Sequence, residues 1–282
     1  MIPLGTQTPS RVTRRFAALR ESGELGLVTF ITAGDPNLAT SERIVLALAE
    51  AGADVIELGV PFSDPLADGP AIQRSSERAL RGATSLSDVI HLASKVRSRS
   101  EVPLVLFSYF NPVLQMGLDR FARAAASAAV DAALITDLTP EEADDYCRVV
   151  RGQGLDTIFL AAPTSTETRL KLIAGVSSGF LYLISRAGVT GARQNLPEDL
   201  PDLVRRARAV ASLPLAVGFG ISLPGHVSAL GGLADAAVVG SVLVEEIERS
   251  PSADAAVMAV AARVQSLKRA AREGMSRRRA QP

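Results

Sequence analysis

Glu57-Leu58-Gly59-Val60-Pro61-Phe62-Ser63-Asp64-Pro65-Leu66-Ala67-Asp68-Gly69-Pro70 is the stretch on which the reading of this chain turns. It sets three prolines, two glycines and the carboxylates Glu57 and Asp68 directly behind the apolar run Ala53-Asp54-Val55-Ile56. That run reads as a short strand buried on both faces, as parallel strands are, and Glu57 falls at its C-terminal end. In a barrel of alternating strands and helices, active sites sit at the C-terminal ends of the strands. Asp68 follows on a loop stiffened by Pro61 and Pro65.

On either side of this stretch, short β-branched runs alternate with helical ones, the mark of parallel βαβ units. Strands are expected at 26–32, 54–58, 103–107, 132–136, 157–160, 180–184, 215–218 and 236–239. Helices are expected at 41–51, 86–96, 118–128, 140–151, 166–174, 199–211, 225–230 and 242–248. Thr139-Pro140-Glu141-Glu142 carries the capping-box pattern with proline at the first helical position, which places a helix start there. Eight such units closing on themselves give an α/β fold of the (β/α)8 TIM-barrel type; an open doubly wound sheet would carry a glycine fingerprint after its first strand, and none follows residue 32. Two helices fall outside the repeat: an N-terminal one at 12–21, stopped at Gly23 and placed to cap the bottom of the barrel, and a C-terminal one at 253–272. No linker or low-complexity tract divides the chain, so residues 1–282 read as one barrel domain, with 1–10 and 274–282 as flexible tails.

Thirty basic and thirty acidic side chains cancel, which argues against a nucleic-acid or anionic-membrane partner. Arg277-Arg278-Arg279 reads as a solvated tail. The single cysteine, Cys147, has no partner for a disulfide or a metal site, and no apolar run reaches the roughly 18 residues needed to span a bilayer. A soluble, cytoplasmic protein without a bound metal is expected.

Three consecutive strand ends are rich in glycine: Ser185-Arg186-Ala187-Gly188-Val189-Thr190-Gly191, Gly218-Phe219-Gly220-Ile221-Ser222, and Gly240-Ser241 opening a helix. Glycine lets backbone N–H groups approach an anion, and a helix N-terminus adds partial positive charge. These turns together predict a phosphate site. For Glu57 and Asp68 the residue types alone leave two readings open: a catalytic pair, or an ion pair in the barrel mouth and a helix N-cap.

The string 57–70 resembles the ELG-P-SDP-ADGP signature of the tryptophan synthase α-subunit family and matches it at every characteristic position. The resemblance extends over nearly the whole chain, through Thr32-Ala33-Gly34-Asp35-Pro36, Tyr109-Phe110-Asn111-Pro112, Tyr182-Leu183-Ile184-Ser185-Arg186 and the three glycine turns. It implies retro-aldol cleavage of indole-3-glycerol phosphate to indole and glyceraldehyde 3-phosphate, with no cofactor on this subunit. By the same resemblance Glu57 is the acid and base of the cleavage, Asp68 stabilises the cationic indole ring, and Tyr182 lies beside the reacting glycerol. Gly191, Gly220, Gly240 and Ser241 bind the phosphate, Phe30 and Phe107 line the indole pocket, and Thr190 closes a loop over the site and orders Asp68.

The resemblance further implies a pyridoxal-phosphate β subunit as partner in an α2β2 heterotetramer, with Asn111, Pro112 and Asp137 on loops that match the contact surface. The chain departs from the family two residues after Asp137, where Thr139 replaces the usual proline and Pro140 comes next. Alternatives of other kinds are a stand-alone lyase releasing free indole, a catalytically silent regulator of a β subunit, and an unrelated phosphate-binding barrel. The last shares only the glycine turns.

Overall fold

The computed structural model describes residues 9–184, 196–218 and 220–279, with side chains as far as residue 275. Strands β1 (Gly26–Thr32), β2 (Val55–Gly59), β3 (Leu104–Ser108), β4 (Ala132–Ile135), β5 (Asp156–Ile158), β6 (Leu160–Ala161), β7 (Leu181–Ile184), β8 (Leu215–Gly218) and β9 (Ala236–Val239) form one parallel sheet. Their order is β5-β4-β3-β2-β1-β9-β8-β7-β6. Only Phe159 separates the two ends of that order, so the sheet closes on itself and the expected eight staves are present. The strand expected at 157–160 appears as two pieces because it changes partner midway: β5 pairs with β4, β6 pairs with β7, and the Phe159 carbonyl between them accepts the Tyr182 N–H at 3.2 Å.

Helices α1 (Arg11–Ser22), α2 (Leu38–Glu50), α3 (Pro70–Arg81), α4 (Leu86–Arg97), α5 (Phe110–Met116), α6 (Leu118–Ser127), α7 (Asp144–Gly152), α8 (Glu167–Val176), α9 (Leu200–Val210), α10 (Pro224–Ala229), α11 (Ser241–Arg249) and α12 (Ala253–Arg279) surround the barrel or extend it. Local chemistry sets many of their ends. Ser10, Asn37 and Thr166 accept the N–H three residues on as N-caps, Ser85 and Asp88 form a reciprocal capping box, and Gly23 ends α1 at φ 63°, where an L-residue would be strained.

Two differences from the sequence pattern have physical causes. At Thr139 the expected capping box does not form. The Thr139 carbonyl takes the Glu142 N–H at 3.1 Å, closing a 3-10 turn over Pro140–Glu142, and the α-helix starts only at Asp144. At the other end of the chain, α12 continues through Gly274 to Arg279, past the end expected at residue 272. Gly274 is used for close packing rather than for a stop: a Cβ there would lie 2.4 Å from the Ser228 carbonyl oxygen, and one on Gly231 would lie 2.6 Å from the Gly274 backbone, so α10 and α12 meet backbone to backbone.

The two-residue period of the strands divides the apolar core. Val28, Phe30, Val55, Val105, Phe107, Leu134, Ile158, Phe180, Tyr182 and Val238 point into the barrel. Leu27, Ile31, Ile56, Leu58, Leu104, Leu106 and Leu183 point outward against the helices. The bottom is closed by α1, whose Val12, Phe16 and Leu19 join the inner cluster, with Phe16 5.4 Å from Phe180 between ring centroids.

Carboxylates at the bottom serve the scaffold. Asp54, Asp131 and Asp235 each stand just before or at the start of a strand and accept the N–H of Leu27, Leu104 and Leu215, the first or second residue of the neighbouring strand, at 2.6, 2.9 and 2.6 Å. Each is also ion-paired: Asp54 with Arg15 and Lys268, Asp131 with Arg11 and Arg97, Asp235 with Arg208. A buried charge is tolerable when so matched.

Candidate active site

Glu57 breaks that pattern. It lies on β2, in register with Phe30 of β1 and Val105 of β3, so its side chain points into the barrel with theirs. It is fully buried, and neither carboxylate oxygen has a hydrogen-bond partner among the described residues. Burial of an ionised carboxylate without a counter-charge is costly, and the group responds by holding its proton. Desolvation pushes the Glu57 carboxyl up to about 8. At neutral pH it is an acid with a proton to give.

Glu57 opens onto a cavity of about 310 Å³ at the C-terminal end of the strands, a size suited to a small ligand. Phe30 and Phe107 stand beside it, edge to face, with ring centroids 5.1 Å apart. The position of Phe30 depends on glycine: a Cβ on Gly59 would lie 2.5 Å from its ring, and one on Gly240 would lie 3.3 Å from its Cβ. Tyr182 of β7 also lines the cavity. Its hydroxyl sits over Gly218, where a Cβ would come within 2.3 Å, and burial together with the nearby Glu57 charge raises its phenol far above the usual range.

Asp68 lines the same cavity from the loop between β2 and α3. Half-buried, its carboxyl is pushed up to about 6 by desolvation, against a hydrogen bond from the Tyr109 hydroxyl that acts to lower it. Tyr109 also accepts the Ala67 N–H at 2.9 Å and packs its ring 5.0 Å from that of Phe62. One phenol from the end of β3 thus ties down both sides of the Asp68 turn. The two carboxylates, in unlike surroundings, are set about two pH units apart, as acid and base partners in active sites are.

Gly220, Ser222, Gly240 and Ser241 also line the cavity. Gly220 has φ 85°, which suits glycine, and a Cβ there would meet nothing within 4 Å, so the main chain faces open space. Gly240 is the N-cap of α11, whose first turn carries no acidic residue, leaving its first N–H groups and the helix dipole for an anion.

Of the residues singled out from the sequence, Glu57, Asp68, Tyr182, Phe30, Phe107, Gly220, Gly240 and Ser241 therefore surround one cavity. Thr190 and Gly191, with the rest of 185–195, and Phe219 lie outside the described residues. Tyr109 and Ser222 enter the sequence reading only as members of motifs, without a role of their own, and Arg74 and Arg263, which line the cavity with Glu245, do not enter it. Tyr109 carried a usable signal, standing immediately after a strand where barrels place functional groups. Arg74 lies on α3, a helix that sequence periodicity did not bring out. Among the described residues no group of three His, Cys, Asp or Glu side chains is arranged to hold a metal, and no helix is long and apolar enough to cross a membrane.

Residues 16–272 match the family model described as tryptophan synthase alpha chain. The chain is 49% identical over 260 residues to the tryptophan synthase alpha chain of Solibacter usitatus, covering 92% of this chain and 97% of that one. It is 51% identical over 245 residues to the one from a Geobacter species, covering 87% and 92%. Among solved structures, Mycobacterium tuberculosis tryptophan synthase superposes with a TM-score of 0.87 at 35% identity, covering 94% of this chain and 99% of that one. The alpha subunit from Legionella pneumophila gives 0.87 at 34%, covering 94% and 100%.

Proposed function

The chain belongs to the tryptophan synthase alpha-chain family, and from that premise we propose that it cleaves indole-3-glycerol phosphate to indole and glyceraldehyde 3-phosphate in tryptophan biosynthesis, with Glu57 as the proton-transfer group and Asp68 as the electrostatic partner. The observation that carries the assignment is the buried, unpaired Glu57 carboxyl, protonated at neutral pH beside an aromatic-walled cavity.

The chemistry needs such a group. The Glu57 carboxylic acid gives its proton to C3 of the indole ring, making that carbon tetrahedral and placing positive charge on the ring nitrogen. The Asp68 carboxylate, ionised above pH 6, stabilises that charge. Glu57, now a carboxylate, takes the proton from the hydroxyl on the carbon attached to C3. The bond between the two carbons breaks, its electron pair returns to the ring and neutralises the nitrogen, and the hydroxyl carbon leaves as an aldehyde. Glu57 ends the cycle protonated. Because an unpaired carboxylate in this position is unfavourable, the site drives the second proton transfer as it permits the first. Phe30 and Phe107 hold the indole, Tyr182 lies against the glycerol chain, and Gly220, Gly240 and Ser241 receive the phosphate, with Gly191 joining them and Thr190 closing over Asp68.

A pyridoxal-phosphate β subunit completes the proposed assembly, an α2β2 heterotetramer in the cytoplasm; this chain itself carries no cofactor in that scheme. Support for such a surface comes from the catalytic end of the barrel, where Leu66 and Leu114 are 85% and 59% exposed beside the exposed Asn111 and Asp137. Asp137 accepts the Phe110 N–H at 2.8 Å and so fixes the start of α5, which carries Asn111, Pro112 and Leu114. The test is indole release from indole-3-glycerol phosphate by the purified chain, with and without a cognate β subunit. Slow release that rises steeply on addition supports the reading; fast release by the chain alone points to a stand-alone lyase, and none in either condition to a silent binder.

A further inference from the structure

Among the described residues, three side chains hold buried polar atoms without a hydrogen-bond partner: Thr29, Glu57 and Ser222. Leaving such an atom unpaired is costly, and native structures keep few of them. Thr29 does not line the cavity: it alternates with the inward-facing Val28 and Phe30 and so faces the helices. The other two belong to the cavity wall. Glu57 has a use for its isolation at the reacting end. Ser222 lies two residues beyond Gly220 and lines the same cavity as Gly220, Gly240 and Ser241.

Its backbone is held in place for that position. The Ser222 N–H donates to Nδ1 of the buried His226, one turn into α10, at 3.4 Å. The main chain is thereby spoken for, while the hydroxyl is not. A serine hydroxyl can donate one hydrogen bond and accept two, and a phosphate monoester offers only anionic acceptor oxygens toward it at neutral pH. Resting on the reading of this wall as the phosphate site, we propose that Ser222 Oγ is a further phosphate-binding group of the enzyme, its hydroxyl turning to donate to a phosphoryl oxygen beside the backbone donors of Gly220 and Ser241. A phosphoryl oxygen then supplies the partner that this hydroxyl lacks among the described residues. This makes Ser222 a discriminator between phosphorylated and unphosphorylated indole ligands, and not a participant in bond cleavage.

The test compares the full-length wild type with Ser222→Ala and Ser222→Thr by titration calorimetry against indole-3-glycerol phosphate analogues that cannot be cleaved, with and without the phosphate, together with KM and kcat for the substrate. A hydrogen bond to a charged partner lost in Ser222→Ala weakens the phosphorylated ligand by about ten- to a hundredfold. The unphosphorylated ligand is expected to bind unchanged, kcat to stay within about twofold, and Ser222→Thr, which keeps a hydroxyl, to recover most of the affinity. Equal weakening of both ligands, or no change in either, overturns the assignment of Ser222 while leaving the reading of the site intact. A wild type that binds both ligands equally overturns the phosphate site itself, and this assignment with it.

Discussion

Replacing Glu57 by glutamine should stabilise the fold progressively as pH rises, while abolishing the reaction. In the unfolded chain the carboxyl ionises near the ordinary glutamate value of 4.5; in the folded chain burial holds it protonated up to about 8. Between those values the unfolded state binds fewer protons at this position than the folded state, so wild-type stability falls as pH increases. The slope is about 1.4 kcal/mol per pH unit, and across the window the loss amounts to roughly 5 kcal/mol. Glutamine keeps the shape and has no proton to lose. The cost of burying its amide is independent of pH and enters as a constant offset, and the other titrating groups cancel between the two proteins. Urea unfolding of both at half-unit steps from pH 5 to pH 9 gives the difference directly. It should grow steadily in favour of Glu57→Gln up to about pH 8 and then level off. Parallel stability curves over the whole range would refute the claim that Glu57 is uncharged in the folded protein, and the acid role with it.

Other consequences follow from the same geometry. Tyr109→Phe removes the donor that lowers the Asp68 carboxyl, so the acid limb of the pH profile of kcat/KM should move upward from about 6; an unmoved limb would detach Tyr109 from Asp68. In Gly218→Ala the new methyl would stand 2.3 Å from the Tyr182 hydroxyl, and displacing that ring by about an ångström should cost on the order of a hundredfold in kcat with folding retained by circular dichroism. Asp54→Ala leaves the buried Lys268 without its closest carboxylate and should destabilise by about 3–5 kcal/mol in urea unfolding, with kcat/KM per folded molecule unchanged because the network lies at the bottom of the barrel.

The barrel was legible from the chain where burial on both faces left no ambiguity of period. The runs at 26–32, 215–218 and 236–239 coincide with β1, β8 and β9, because β-branched and apolar residues fill them from end to end. The helices α3 and α5 were not legible: Pro70 and Pro112 fall in their first turns, where proline is compatible with a helix but reads in a string as part of a loop. The capping-box pattern at Thr139 misled for a related reason. It specifies which side chains can reach which N–H groups, whereas whether the turn closes with three-residue or four-residue spacing depends on what packs beyond it.

At the site, the residue types alone left the roles of Glu57 and Asp68 open, and it was the family resemblance that divided the labour between them. Glutamate and aspartate are equivalent as letters; the structure separates them because Glu57 is fully buried with no hydrogen-bond partner among the described residues while Asp68, less buried, meets the Tyr109 hydroxyl. Ser222 is a sharper case. Next to glycine-rich turns a serine is unremarkable, and only the structure distinguishes a hydroxyl with no partner from one that is satisfied.

The most direct test of the central claim is the pH dependence of indole release from indole-3-glycerol phosphate by the wild type beside Glu57→Gln, each assayed with a saturating β subunit. Ionised Asp68 and protonated Glu57 coexist between about 6 and about 8, so the wild type should show a bell with limbs near those values: activity lost below the first as Asp68 gains a proton and above the second as Glu57 gives one up. Glu57→Gln should fall by at least about a hundredfold and show no basic limb. A glutamine variant that releases indole at the wild-type rate would contradict the account.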